Sequence, residues 1–429
     1  MFKSDSITNV GKLYINNKLF KEYAEIEFED DGFTNRKRLG TFKVDFITAE
    51  FENNFYSKKQ KFRFLDSDNN EYRGIIYGIR EDSQVYSRVS RLNFALTMKQ
   101  QYVRYSSDRC KTLNIYFGIP YCSLLSRRTK MSYGFYPEYI VKFIEEPFKI
   151  VVDGFDIVFD DSIDLVDINK NKGIIKRYIT PSISLEFKHR SKLITQLNQI
   201  EKIMTDVMIV LTFYFNHKID WYSYNAQLLN RNKKLFEFLK YKNFEKNIGK
   251  EYEVEDKHSK FEEYKNSNII NELILKYRQL STTDKKLFDS FVNDLAEIKD
   301  INSLKSRRSI ALFILDAICN YMISKHKIVY RSGNGYSNYQ EKIRGVMKFF
   351  EIDSKLINFS YSNVKTKRNI RLWQITNLRN SLAHADSKLI IESIRFKNEY
   401  VKLLKLIRIL LFMNLEPKYR EIPYPEIFV

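Results

Sequence analysis

The chain is poor in the residues that mark several protein classes. Its 429 residues include only 3 Cys, 7 Pro and 13 Gly. So few cysteines exclude a disulfide framework and a zinc site built on closely spaced Cys pairs. The low Pro and Gly content excludes collagen-like and low-complexity architectures. Hydrophobic residues make up 44% of the chain, which is enough apolar material to build folded cores.

Long apolar runs are also missing. The longest, residues 310–323, is interrupted by Asp316 and Asn320 and is too short to span a bilayer. No apolar stretch follows the first residues, so no signal peptide is predicted. We therefore expect a soluble, cytoplasmic protein that does not bind a membrane. A weaker alternative is peripheral membrane attachment through the basic segment 400–412, whose apolar stripe is more simply explained by packing in a helical bundle.

Positive charge is abundant, and it is unevenly distributed. The chain has 72 Lys and Arg against 53 Asp and Glu, a net charge of +19. Residues 1–180 hold 29 basic and 25 acidic residues (+4), whereas residues 181–429 hold 43 and 28 (+15). A codon bias toward Lys would spread the excess more evenly. The split therefore favours a polyanionic partner, above all nucleic acid, for the second part.

The periodicity of apolar residues changes along the chain near Pro181. Before it, segments such as 42–46 and 61–65 alternate apolar and polar residues, and 66–70 supplies a turn before a return strand at 72–79. About a dozen such strands predict an antiparallel β sandwich or barrel-like domain over 1–180. After Pro181 the apolar period becomes 3.6, which predicts an all-α part in an α+β multidomain protein. Helices are expected around 187–218, 231–243, 260–280, 283–299, 303–326, 337–351, 366–385 and 390–415.

One of these predicted helices carries a group of residues suited to RNA cleavage. Asn377, Asn380 and His384 fall on one helical face, which Arg379 borders, and apolar residues occupy another. In RNA the 2′-OH attacks the adjacent phosphorus, leaving a 2′,3′-cyclic phosphate. A histidine transfers the proton, a guanidinium holds the charged oxygens, and an amide orients either group. Because the substrate contains its own nucleophile, this chemistry requires no metal and no cofactor. Basic residues upstream predict an RNA-binding track: Lys365, Lys367, Arg368 and Arg371.

The segment Arg379-Asn380-Ser381-Leu382-Ala383-His384 resembles the R-x4–6-H signature of the HEPN superfamily. The order of a β-rich part and a C-terminal helical part resembles Apea-type HEPN proteins. The resemblance implies a β-rich sensor or regulatory domain (1–180), a helical connecting region (181–280) and a HEPN-like nuclease domain (281–429). Arg379 and His384 would be catalytic and Asn380 would position one of them. Asp316 stands where the family often has a Glu, as a possible supporting acid.

The same resemblance implies partners and a biological role. It predicts a metal-independent endoribonuclease that acts as a homodimer, with two motifs forming one cleft. It also predicts a role in anti-phage or abortive-infection defence, with RNA, for example tRNA, as the substrate. The β-rich domain would then bind an unknown protein trigger. The alternative is a non-catalytic HEPN-like module that binds RNA or protein, with Arg379 in a salt bridge, His384 at a helix C-terminus and the basic track solvated.

Overall fold

The structure is a computed structural model, and it covers the chain in segments. It describes residues 5–30, 39–45, 60–84, 87–102, 111–119, 125, 129–133, 139–143, 146–169, 172–187, 193–216, 218–230, 233–242, 267–298, 301–330, 338–352 and 395–416. The chain divides into two compact units. The first, called here the β unit, comprises Met1–Thr205 and Ile219–Ser267. The second, the helical unit, comprises Asp206–Lys218 and Asn268–Val429.

Fourteen strands are described, and all their pairings are antiparallel. They are β1 Asp5–Ile15, β2 Lys18–Asp30, β3 Leu39–Asp45, β4 Gln60–Asp66, β5 Glu71–Gln84, β6 Ser87–Tyr102, β7 Lys111–Gly118, β8 Thr129–Tyr133, β9 Tyr139–Phe143, β10 Phe148–Val152, β11 Phe155–Asn169, β12 Lys172–Phe187, β13 Ser223–Asn230 and β14 Lys233–Tyr241. Strands β8 and β9 form a separate pair.

Six of the strands close into a barrel. Their order is β6-β3-β2-β1-β4-β5, and β5 pairs back with β6. Alternating side chains point inward, as the burial of every second residue of β4 illustrates. The interior is filled by apolar side chains, many of them aromatic, among them Phe28, Phe42, Phe62, Phe64, Tyr72 and Phe94. The expected N-terminal antiparallel β domain is therefore confirmed, in the form of a barrel with additional strands.

The predicted hairpin of 61–65 and 72–79 is confirmed as β4 and β5. Arg63 lies opposite Arg73, and Phe64 lies opposite Tyr72. The buried carboxylate of Asp66 closes the turn, because it accepts hydrogen bonds from the backbone N–H groups of Asp68 and Asn70. Such side-chain-to-backbone bonds explain why Asp and Asn cluster at this position in the sequence.

The remaining strands extend the sheet away from the barrel in the order β6-β14-β13-β7-β12-β11-β10. Strand β12 runs through Pro181, so strand structure continues beyond the change in sequence pattern. The helix expected around 231–243 is wrong, because this segment forms β14. Strand β14 lies between β13 and β6, and Leu235, Phe236, Phe238 and Leu239 are all buried, with Leu239 in the core of the barrel. Burial on both faces removes the alternation that identifies a strand and leaves apolar spacings that resemble those of a helix.

Six helices are described: α1 Leu193–Phe215, α2 Ser267–Gln279, α3 Thr282–Glu297, α4 Leu304–His326, α5 Asn338–Phe349 and α6 Arg395–Asn414. The chain division assigns α1 up to Thr205 to the β unit and the rest of it to the helical unit. In the helical unit all described elements are helices, as expected from the 3.6-residue period. Ser281 and Ser303 cap α3 and α4 through their hydroxyl oxygens.

The helical unit buries apolar side chains where its helices meet. Helix α4 contacts both α5 and α6, and the stripe predicted near the end of the chain is buried on α6, at Leu403, Leu404, Ile407, Leu410 and Leu411. Burial of this stripe agrees with the packing explanation of segment 400–412. In the part of the chain described here, no helix is both long enough and apolar enough to span a membrane.

Candidate functional site

The residues of the RNA-cleaving motif lie outside the described part of the chain. This holds for Arg379, Asn380 and His384, and also for the basic track of Lys365, Lys367, Arg368 and Arg371. Their placement and their roles stay predictions. The segment 353–394 that contains them follows α5 and precedes α6, two helices of the helical unit.

Asp316 is the one predicted site residue that the structure describes. It lies half-buried on α4, and its Oδ1 is 3.9 Å from the Nζ atom of Lys342 on α5. One turn later, burial and the charge of Asp316 raise the pKa of the Cys319 thiol to about 12. Cys319 is therefore a protonated, buried side chain rather than a reactive thiolate. The contact with Lys342 gives Asp316 a structural partner between two helices, and its supporting role in cleavage stays a prediction.

Coordination of a metal ion is another chemistry that a group of neighbouring side chains could support. Among the described residues, no group of three or more His, Cys, Asp or Glu side chains is placed to hold a metal ion. Three aspartates lie close together in sequence on the β10–β11 hairpin, where Asp153 is at the turn and Asp156 and Asp160 are exposed. Asp156 forms an ion pair with Lys149 across the two strands.

A pocket in the β unit is a second candidate site, and it was not among the sites predicted from the sequence. Its volume is about 590 Å³, and its lining includes Lys61, Arg63, Arg73 and Lys240 together with apolar side chains. Strands β4, β5, β6, β14 and β13 form its floor, and the first turns of α1 contribute one wall. A pocket of this size lies within the usual range of small-molecule sites, roughly 300–1,000 Å³.

Strand register brings the basic residues of this pocket together. Arg63 pairs with Arg73, Arg73 with Met98, Met98 with Lys240, and Lys240 with Tyr224. Residues directly opposite each other in antiparallel strands point to the same face. One cross-strand row over five strands therefore presents three cationic side chains on one side of the sheet.

This row could not be found from local sequence. Its members lie at positions 63, 73, 98, 224 and 240, and only the first two belong to one hairpin. The alternation in β4 and β5 places Arg63 and Arg73 on the outward face of the barrel, which is the only signal that the sequence offers. The pairing of β6 with β14 is a long-range event without a local signature.

Comparison with known proteins supplies no relative from which a role could be transferred: no family model, no curated protein and no solved structure matches the chain. The roles discussed below therefore depend on the residues and contacts of this chain alone.

Proposed function

We propose that the chain is a metal-independent endoribonuclease that cleaves RNA by attack of the 2′-OH on the adjacent phosphorus. The observation that carries the proposal is the spacing of Arg379, Asn380 and His384 in a helix-forming segment. In this mechanism Arg379 holds the scissile phosphate, His384 transfers a proton and Asn380 positions one of them. The products end in a 2′,3′-cyclic phosphate.

Two features of the chain support a nucleic acid as the substrate. Residues 181–429 carry 43 basic and 28 acidic side chains, which gives the part with the motif a strong positive excess. Lys365, Lys367, Arg368 and Arg371 precede the motif and would contact the phosphates of the bound strand. The helices α5 and α6, which flank the segment in sequence, both belong to the helical unit.

The active species would be a homodimer. One motif supplies one guanidinium and one imidazole, whereas two copies related by a two-fold axis would supply donors on both sides of a phosphate. Asp316 would act as a supporting acid, and the β unit would bind the trigger of the enzyme. A ribonuclease that is held inactive until it is triggered fits a role in anti-phage or abortive-infection defence in the cytoplasm.

The test is RNA cleavage by the purified full-length protein in excess EDTA. With tRNA or total RNA as substrate, fragments ending in 2′,3′-cyclic phosphate are expected, and both Arg379→Ala and His384→Ala should abolish them. Arg344→Ala is the matched control, because Arg344 is an exposed arginine of α5 with its side chain 57% accessible. Dependence on added metal, equal cutting of DNA, or full activity of both motif variants would refute the proposal.

The alternative is an RNA- or protein-binding module that does not cleave. The positive excess of residues 181–429 favours RNA binding whether or not the motif is catalytic. Expression in cells separates the two functions: a ribonuclease should arrest growth in the wild-type form and lose its toxicity in His384→Ala. A binding module should retain RNA affinity in both forms and arrest growth in neither.

A further inference from the structure

The pocket of the β unit carries an excess of positive charge. Among the residues that the structure describes, four cationic side chains line it: Lys61, Arg63, Arg73 and Lys240. Two carboxylates pair with members of this set, Glu71 with the two arginines and Glu201 with Lys240. Neither carboxylate lines the pocket. The balance leaves two positive charges, which corresponds to the charge of a phosphomonoester dianion.

The two arginines are held so that their outer nitrogens remain available. The Nε atoms of Arg63 and Arg73 both donate to Oε1 of Glu71, and the Arg63 distance is 3.0 Å. Within the described residues, the terminal guanidinium nitrogens of these two arginines donate to no protein group. The guanidinium of Arg63 also lies over the ring of Tyr14 at 5.7 Å, which further fixes its position. Planar guanidinium groups fixed in this way are well suited to bind phosphate oxygens in pairs.

At the other end of the cross-strand row, Lys240 is held in place by the carboxylate of Glu201. Lys240 Nζ lies 2.8 and 2.6 Å from the two carboxylate oxygens of Glu201 on α1. The hydroxyl of Tyr224 donates to Glu201 at 3.4 Å. Burial, followed by the charge of Glu201, raises the pKa of Tyr224 well above its usual value, so its phenol stays neutral. This network joins α1 to β13 and β14 and holds the wall of the pocket against its floor.

The rest of the lining is mixed, because Asn17, Thr97 and Asn198 are polar and the other side chains are mainly apolar. Ile194 and Leu197 on α1, Met98 on β6 and Phe238 on β14 contribute hydrocarbon surface beside the cationic row. Phe238 is buried at the floor, with its ring centroid 5.8 Å from that of Tyr224. Aromatic and aliphatic surfaces of this kind pack against the faces of flat rings such as nucleobases. The pocket thus combines cationic groups for an anion with apolar and uncharged polar groups for a ring.

We propose that this pocket is a binding site for a small phosphomonoester with a flat ring, of the size of a nucleoside monophosphate. The guanidinium groups of Arg63 and Arg73, together with Lys61, bind the phosphate. The apolar side chains of α1, β6 and β14 contact the remainder of the ligand. The site lies in the β unit and does not depend on the RNA-cleaving motif, so each proposal can fail without the other.

Isothermal titration calorimetry of the full-length protein tests the proposal, with AMP and UMP as probes. Binding of at least one of the two is expected. Inorganic phosphate and adenosine should each bind at least tenfold more weakly than the nucleotide, because each supplies only one end of the ligand. The absence of binding by both nucleotides at millimolar concentration would overturn the proposal. Inorganic phosphate binding as tightly as the nucleotides would also overturn it, since the apolar end would then contribute nothing.

Variants locate the site. Arg73→Gln is expected to weaken nucleotide binding about tenfold, and Arg63→Gln combined with Arg73→Gln about a hundredfold, because a charged hydrogen bond contributes roughly one power of ten in affinity. Both arginines are largely exposed, with 42% and 55% of their side chains accessible, so the fold should be retained. Arg344→Gln is the control, an arginine of equal exposure that also pairs with a glutamate. Equal loss of binding in the control, or none in the double variant, would contradict the assignment.

Discussion

The two units of the chain differ in where their charged side chains lie relative to the interior. In the barrel the interior is apolar, the basic side chains of β4 and β5 point outward, and the buried carboxylate of Asp66 lies at the turn where β4 ends. Among the described residues of the helical unit, three charged residues are buried: Asp206, Arg308 and Arg408, which are 6%, 3% and 5% exposed. Burial of a charge is costly unless it is paired and hydrogen-bonded. The barrel should therefore depend mainly on packing, and the helical unit on specific polar contacts as well.

The contacts of the buried charges in the helical unit support this difference. Asp206 is 3.2 Å from Nε of Arg278 and 3.7 Å from Nζ of Lys285. Arg408 on α6 donates through Nη2 to the backbone oxygens of Phe213 and Tyr214 at the end of α1. The last carbonyls of a helix have no partner within the helix, so an arginine that binds them acts as a C-terminal cap.

The largest loss of stability is expected from a cavity in the barrel. Phe42 is fully buried, and its ring lies 4.9, 5.4 and 4.5 Å from the rings of Phe62, Phe64 and Phe94. Phe42→Ala should lower the free energy of unfolding of the β unit by about 3–5 kcal/mol, because it removes both burial and ring contacts. Urea unfolding, monitored by hydrogen exchange in peptides of β3, measures this change. The control is Tyr23→Ala, which should lower the free energy of unfolding little, because this barrel position is 79% exposed. A loss below about 1 kcal/mol for Phe42→Ala would argue against a packed interior.

Removal of a polar side chain should have its strongest effect in the helical unit. Arg408→Met keeps most of the side-chain volume but removes both hydrogen bonds to the end of α1, at 3.2 and 2.7 Å. Loss of two hydrogen bonds from a buried charged donor should cost about 2–3 kcal/mol of unfolding free energy, although the oxygen of Phe213 keeps the N–H of Asn216 as a donor. Hydrogen exchange in peptides of α1 and α6 measures the effect. The control is Arg344→Met, which changes an exposed arginine in the same unit. If both variants are equally stable, the buried arginine does not act as a cap.

A dependence on pH is expected near His326 at the end of α4. Its ring lies 5.3 Å from those of Phe349 and Phe350. Burial, and then the neighbouring charge of Lys325, lower the pKa of His326 below its ordinary value of 6.5. Below pH 6.5 the unfolded chain therefore binds the proton more readily than the folded chain. The stability of the helical unit should fall as the pH falls from 6.5 toward the lowered pKa.

Thermal melting at pH 7.5 and pH 5.5 tests this dependence. The wild-type protein should lose more stability at the lower pH than His326→Leu, which keeps an apolar group of similar size and cannot be protonated. An identical pH response of the two proteins would show that His326 contributes nothing to it. Hydrogen exchange at the same two pH values would follow local opening in each unit. Peptides of the barrel then provide the internal reference for those of the helical unit.

Local pattern predicted most of the elements of both units. Alternation identified β4 and β5, where one face meets the barrel interior and the other meets solvent. The 3.6-residue period predicted α4 at 303–326, and the structure has it at Leu304–His326, with Ser303 as its cap. In each case one face of the element is buried and the other is exposed, so the order of apolar and polar residues in the local sequence identifies the element.

Sequence pattern failed where long-range pairing decides the structure. Strand β14 is covered on both faces, so its apolar residues carry no alternation, and a helix was expected in its place. Closure of the barrel depends on the pairing of β5 with β6, and the pocket depends on the pairing of β6 with β14. Register between distant strands is fixed by the assembled core rather than by any short segment. The predicted RNA-cleaving motif is the opposite case, because the hypothesis rests on six consecutive residues and on no long-range pairing. Its geometry stays a prediction.

The smallest effects are expected from two turns with positive φ, one in each unit. Lys327 ends α4 with φ at 51°, and Gly154 lies between β10 and β11 with φ at 78°. Lys327→Gly should stabilise the helical unit by about 0.5 kcal/mol, since relief of the left-handed strain exceeds the lost helix-dipole attraction and the added chain entropy. Gly154→Ala should destabilise the β unit by about 1 kcal/mol through backbone strain alone, because an added Cβ would meet no atom within 4 Å. Melting temperatures of the two variants should therefore move in opposite directions. A lower melting temperature of Lys327→Gly would mean that the cation of Lys327 matters more at the helix end than its backbone conformation, and a higher one of Gly154→Ala would show that position 154 carries no backbone strain.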